Sequence, residues 1–131
     1  MHRSSVVRYL CSLMCVLVLA GCAGDTSSSS TSTSTLPPLA NVQNGEAVFL
    51  STCTSCHGED ARGIEGLGKP LAGSDFVAQS SESALVRLIT FGRPASDPTN
   101  STGIAMPARG GNPSLTEQSI RDVVAYLKSL N

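Results

Sequence analysis

The sequence predicts an all-α fold for this chain of 131 residues. Apolar residues near the C-terminus recur at spacings of three and four, which is the pattern of an amphipathic helix. Segments 42–52 and 82–91 also read as helices, and no segment shows the two-residue alternation of a half-buried strand. Only 4% of the residues are aromatic and none is Trp, which argues against a large self-sufficient core. The length allows one domain, or two at most.

The N-terminus is organised like a bacterial lipoprotein signal. Two arginines precede an apolar stretch over residues 9–20, which is too short to span a bilayer. The run Leu19-Ala20-Gly21-Cys22 resembles the lipobox of bacterial lipoproteins, which implies cleavage before Cys22 and attachment of lipid to it. The alternative is an ordinary secretory signal in which Cys22 is incidental.

This resemblance divides the chain into three parts. Residues 1–21 would be the signal peptide, 22–40 a disordered tether rich in Ser, Thr and Pro, and 41–131 the folded domain. Ala23, rather than Asp, follows the lipidation site, which favours the outer membrane and a periplasm-facing position over the inner membrane. Without the signal, seven Lys/Arg and ten Asp/Glu give a charge of −3, which argues against a nucleic-acid partner.

Each predicted helix has its own local signals. Helix 42–52 carries Phe49 on its apolar face. Helix 82–91 is capped by Ser80 or Ser81 and ended by Gly92, and its apolar residues are expected to wall a pocket. The C-terminal helix begins at a capping box over 114–117 or with Thr116 as N-cap. The expected pocket residues are Leu85, Leu88, Ile89 and Phe91.

The motif Cys53-Thr54-Ser55-Cys56-His57 is C-x-x-C-H, the attachment sequence of haem c. Two thiols at this spacing can reach the two vinyl groups on one haem edge, and the following imidazole can reach the iron. A redox dithiol is one alternative, but it needs no following His. A zinc site is another, but beyond the C-x-x-C it needs two more Cys or His ligands, and Cys22 is the only other Cys after the signal. The motif therefore predicts one covalently bound haem c.

The surrounding sequence resembles the class I cytochromes c. The resemblance implies that Gly45 and Phe49 on the first helix pack against Tyr126 on the last helix, around the haem. Met106, followed by Pro107 in the second Gly/Pro-rich loop, matches the second axial ligand of that family. Pro70 matches the position whose carbonyl orients the proximal His57.

These features predict a lipid-anchored, periplasmic, monohaem electron carrier with no catalytic activity of its own. His57 and Met106 would hold the iron, and the partners would be redox proteins together with the membrane that holds the anchor. We expect a monomer. Two alternatives are a haem enzyme or gas sensor with a labile sixth ligand, and a dedicated electron-accepting partner of one periplasmic dehydrogenase.

Overall fold

The computed structural model describes residues 38–131 of the chain. The signal 1–21, the lipidation site Cys22 and most of the tether lie outside the described residues. The described part contains two isolated β-bridges and no extended strand. None of its helices is long and apolar enough to cross a membrane. The helices are α1 (Val42–Thr52), α2 (Thr54–His57), α3 (Asp75–Gln79), α4 (Glu82–Phe91) and α5 (Glu117–Ser129), with a 3₁₀ turn at Ala108–Gly111. The predicted all-α fold is confirmed.

Helices α1 and α5 form the main packing contact of the domain. A Cβ atom on Gly45 would lie 1.9 Å from the backbone oxygen of Asp122, so only Gly permits this approach of the two helices. One helical turn further on, the rings of Phe49 and Tyr126 lie 5.5 Å apart, centroid to centroid, with a tilt of 49°. The predicted packing of the first helix against the last is therefore present.

A buried carboxylate fixes the start of α1. Asp122 on α5 is only 3% exposed. It accepts hydrogen bonds from Asn41 N at 2.9 Å, Asn44 Nδ2 at 2.6 Å and Gln118 Nε2 at 2.8 Å. Burial disfavours the charged form of Asp122, but these donors outweigh burial and hold its pKa below the ordinary value of 3.8. Asp122 therefore ties the residue next to the tether to the last helix.

We expect Asp122→Asn to lower the free energy of unfolding at neutral pH by about 2 kcal/mol, because one neutral amide replaces a charged acceptor of three hydrogen bonds. The folded-state pKa is depressed, so this stability is present above the unfolded-state pKa and is lost as the pH falls through the folded one. Denaturant unfolding from pH 7 to below pH 3.8 checks this. A difference between wild type and variant that stays constant with pH would contradict it.

Local capping sets the ends of α4 and α5. Ser81 caps α4 by accepting from Ala84 N at 3.2 Å, and Gly92 ends it with a φ of 71°, both as predicted. Thr116 caps α5 by accepting from Ser119 N at 3.1 Å. The alternative capping box beginning at Ser114 is wrong, since Ser114 precedes the cap by two residues and lies outside the helix. The caps fix α4 and α5 at their N-terminal ends.

The core lies between α1, α4 and α5. Its largest fully buried side chains are Phe49, Ile120, Val77, Val123 and Val124. On one side of this core, the α1–α2 junction and the long loops that follow it carry the residues that the sequence singled out for chemistry.

Candidate cofactor site

The two cysteines of the motif lie at the junction of α1 and α2. Cys53 N donates to Phe49 O at 2.8 Å, and His57 N donates to Cys53 O at 3.0 Å, so the motif continues the helical path of α1. Both thiols are unpaired. Burial, and to a lesser degree the neighbouring Cys56, raises the pKa of the Cys53 thiol to about 11. Redox-active dithiols have lowered thiol pKa values, so this environment disfavours the dithiol alternative.

His57 is oriented by one backbone carbonyl. Its Nδ1 lies 2.8 Å from Lys69 O. Because a carbonyl only accepts, Nδ1 carries the proton and Nε2 keeps its lone pair for a ligand. The sequence assigned this carbonyl to Pro70, and that assignment is wrong by one residue. The Pro70 ring, which lines the same cavity, fixes the torsion directly after the carbonyl that contacts His57.

Met106 is held by a short antiparallel bridge to Arg93, two residues after the end of α4. Arg93 N donates to Met106 O at 2.8 Å, and Met106 N donates to Arg93 O at 2.8 Å. Gly92 makes this approach possible, because a Cβ there would lie 2.3 Å from Met106 O. The half-buried Met106 is thus fixed at its backbone on both sides.

The loop between Arg93 and Met106 is organised around one amide. Asn100 Nδ2 donates to Pro94 O at 3.1 Å and to Ile104 O at 2.8 Å. Its Oδ1 accepts from Thr102 N and Oγ1 and from Gly103 N, each at 3.1 Å. All of the amide's hydrogen-bonding capacity is used within the loop, so Asn100 stabilises the segment that delivers Met106.

A cavity of about 360 Å³ brings the predicted chemical residues together. Its volume falls in the range of roughly 300–1,000 Å³ that is usual for small-molecule and cofactor sites. Apolar side chains line much of the wall, including Leu67, Leu71 and Leu88. The residues singled out by sequence that line it are Cys53, Cys56, His57, Pro70 and Met106.

Some expectations about the wall of this cavity are wrong. Leu88 lines it, whereas Leu85 and Ile89 lie in the core and Phe91 lines a separate groove. Phe91 is 68% exposed because it lies about 240° around α4 from Leu85, off the apolar stripe. Applying the helical period strictly to α4 would have excluded Phe91.

Sequence reasoning also missed residues that line the cavity. Phe76 comes from the short helix α3, and Arg93 and Asn100 come from the loop after α4. The dense turn-forming composition of segment 97–103 was the available signal for Asn100, because Asn in such a run commonly bonds neighbouring backbone. The sequence around Arg93 contains no comparable pattern that would have indicated its place in the cavity wall.

The donor atoms of this cavity fit haem c. Two thiols, one imidazole with a free Nε2 and one thioether surround an apolar space, which are the groups that hold a covalent, six-coordinate haem. Zinc fits less well, since no three His, Cys, Asp or Glu side chains cluster as metal ligands within residues 38–131. Among the described residues, these side chains are the ones that could attach a haem by thioether bonds and supply its axial ligands.

The chain is similar in sequence to known proteins. Residues 40–127 match the protein family described as cytochrome c oxidase, cbb3-type, subunit III. The chain is 36% identical over 87 residues to the cbb3-type cytochrome c oxidase subunit CcoP of Rhodobacter capsulatus, covering 66% of this chain and 28% of that protein. It is 32% identical over 84 residues to the cytochrome c subunit of the quinone alcohol dehydrogenase of Gluconobacter oxydans (strain 621H), covering 64% of this chain and 17% of that protein.

A shorter relative is similar over most of its length. Cytochrome c-555 of Prosthecochloris aestuarii is 29% identical over 87 residues, which cover 66% of this chain and 85% of that protein. The oxidase and dehydrogenase subunits are much longer, and the matched part spans less than a third of each. The chain belongs to the family of cytochrome c oxidase, cbb3-type, subunit III, and residues 40–127 form a cytochrome c domain, which implies covalently bound haem c.

Proposed function

We propose that this chain is a lipid-anchored, periplasm-facing carrier of single electrons with one haem c, whose iron is held by His57 and Met106. The observation that carries the proposal is the cavity in which both cysteines, an oriented imidazole and the Met106 thioether meet. When bound, haem c supplies an iron that changes between the ferrous and ferric states by one electron. The residues of the chain would attach this group and hold its iron.

The two cysteines would attach the cofactor. Each thiol would add across one vinyl group, so that its sulfur bonds to one carbon and its hydrogen passes to the other, with no net oxidation. Cys53 and Cys56 are three positions apart on the α1–α2 junction, which matches two vinyl groups on one edge.

The axial residues would keep their places in both redox states. Hydrogen bonds to backbone atoms fix each of them: the His57 ring through Lys69 O, and the Met106 backbone through its bridge to Arg93. A site held in this way needs little rearrangement when one electron arrives or leaves. The thioether ligand favours ferrous iron and raises the potential.

Carbon monoxide tests whether the sixth position is closed. We expect the reduced holoprotein to show no prompt CO binding at neutral pH, because the Met106 thioether would occupy that position and its backbone is fixed by two hydrogen bonds to Arg93. The absorbance change on adding CO is the measurement. Prompt, stoichiometric binding would contradict the carrier proposal and favour a gas sensor or enzyme with a labile ligand.

The partners proposed for this carrier are redox enzymes. Its relatives include a subunit of an oxidase and a subunit of a quinone dehydrogenase, and both of those names describe electron-transferring complexes. The cavity wall carries apolar side chains that are about half exposed, Phe76 at 51% and Ile104 at 47%. We propose that a partner docks over this side of the cavity and makes few charged contacts there. The sequence has only two lysines, Lys69 and Lys128, which also favours a docking surface with few charges.

The lipid anchor is a separate part of the proposal and rests on the sequence Leu19-Ala20-Gly21-Cys22. We expect Cys22→Ser to move the protein from the membrane fraction to the soluble periplasmic fraction, because a serine offers no thiol for lipid. Cell fractionation followed by haem staining measures this, with Ser27→Ala in the tether as a matched control. A Cys22→Ser protein that stays with the membrane would contradict the anchor.

A further inference from the structure

The side chains that line the cavity carry an excess of positive charge. The charged side chains in the lining are Lys69 and Arg93, and the lining includes no Asp or Glu. Haem c carries two carboxylate side arms in addition to its vinyl groups, so a pocket for it must accommodate negative charge. This step rests on the proposed function.

Arg93 has unused hydrogen-bond donors. Within residues 38–131 its guanidinium forms no ion pair and no side-chain hydrogen bond, and it lies 5.5 Å from the centroid of the Phe76 ring. Asp97, in the same loop, accepts its hydrogen bonds from Thr99 N at 2.7 Å and Thr99 Oγ1 at 2.5 Å. These bonds, and to a smaller extent the charge of Arg93, lower the pKa of Asp97, but Asp97 forms no ion pair with the guanidinium. The five N–H donors of Arg93 are therefore available to a group in the cavity.

The other polar groups nearby are already engaged. The Asn100 amide is fully bonded within its loop, and the Thr102 hydroxyl donates to Asn100 Oδ1 at 3.1 Å. Lys69 is exposed, whereas Arg93 is partly buried. A planar guanidinium also matches a carboxylate with two parallel hydrogen bonds, which a lysine cannot do.

We propose that Arg93 binds a carboxylate of the haem and, through its backbone pair with Met106, joins that end of the cofactor to the loop carrying the sulfur ligand. The pair consists of the two 2.8 Å hydrogen bonds between Arg93 and Met106. Arg93 is thus a binding residue for the cofactor's carboxylate and a positioning residue for Met106. The guanidinium lies over the Phe76 ring, which helps to hold it in place.

The test compares the reduction potentials of holoproteins at fixed pH and salt. We expect Arg93→Gln to shift the redox equilibrium about tenfold toward the oxidised form, which is about 59 mV for one electron, because an uncompensated carboxylate stabilises ferric iron. Arg87→Gln is the matched control, since Arg87 also lies over a ring, 5.3 Å from the Phe91 centroid, but outside the cavity.

Two lysine variants keep the test decisive if Arg93→Gln fails to mature. Arg93→Lys retains the charge but loses the two parallel hydrogen bonds, so we expect a shift of about threefold, whereas Arg87→Lys should give none. Equal potentials for Arg93→Gln and Arg87→Gln would overturn the assignment of Arg93. So would a larger shift for Lys69→Gln than for Arg93→Gln. Absence of covalent haem from the wild type would instead contradict the proposed function itself.

Discussion

Replacing both Cys53 and Cys56 by Ala is expected to abolish covalent haem attachment. The denatured wild-type protein should retain one haem per chain and the double variant close to none, because no other thiol lies within residues 38–131. The free energy of unfolding should also fall by several kcal/mol of the roughly 5–15 kcal/mol typical of a domain, since a ligand that binds only the folded state stabilises it. Haem staining after denaturing electrophoresis and denaturant unfolding measure the two effects.

Ser55→Ala is the matched control for this experiment. Ser55 stands between the two cysteines, is exposed, and makes only a weak contact with Cys56 Sγ at 3.9 Å. It should keep full haem content and wild-type stability. Haem that remains attached to the double alanine variant after denaturation would contradict the role of the motif, as would loss of haem in Ser55→Ala.

Met106→Ala is expected to produce the second large effect. The oxidised wild-type protein should show the weak long-wavelength band that reports the Fe–S bond, and the variant should lack it. Its reduction potential should fall by on the order of 0.2 V, a fraction of the roughly 0.8 V over which axial ligands set haem potentials. Oxidised spectra and potentiometric titration provide the two measurements.

Ile104→Ala separates ligation from packing at this site. Ile104 lines the same cavity two residues before Met106 and is 47% exposed. Its truncation removes apolar surface from the wall but no ligand atom, so the band should persist and the potential should change little. An oxidised Met106→Ala protein that keeps the band would remove Met106 as the ligand.

The sequence predicted the long helices because local signals set their ends. Segment 82–91 matches α4 at both ends, since the Ser81 cap and Gly92 are adjacent to it. The short helix α3 escaped prediction because much of its support is distant in sequence. Lys128 Nζ, about fifty positions away, donates to the carbonyls of Val77, Ala78 and Ser80. Five residues alone carry too little periodicity to indicate a helix.

The residues expected to bind the haem were easier to predict from the sequence than the residues that hold them in position. The motif 53–57 and Met106 carry rare side chains at informative spacings, so the sequence could single them out. Which carbonyl faces His57 depends on the torsions of a loop, and Lys69 rather than Pro70 takes that place. The two backbone hydrogen bonds between Arg93 and Met106 join residues thirteen positions apart across an irregular loop. Such a loop has no periodic pattern of apolar residues from which the pairing could be predicted.

The most direct test of a His57/Met106-ligated haem c carrier is the mass and spectrum of the wild-type chain, expressed with a haem c maturation system. The protein should retain the mass of one haem after denaturation, and the oxidised native form should show the long-wavelength Fe–S band, which disappears on reduction. A chain without covalent haem, or an oxidised holoprotein without that band, would contradict the account.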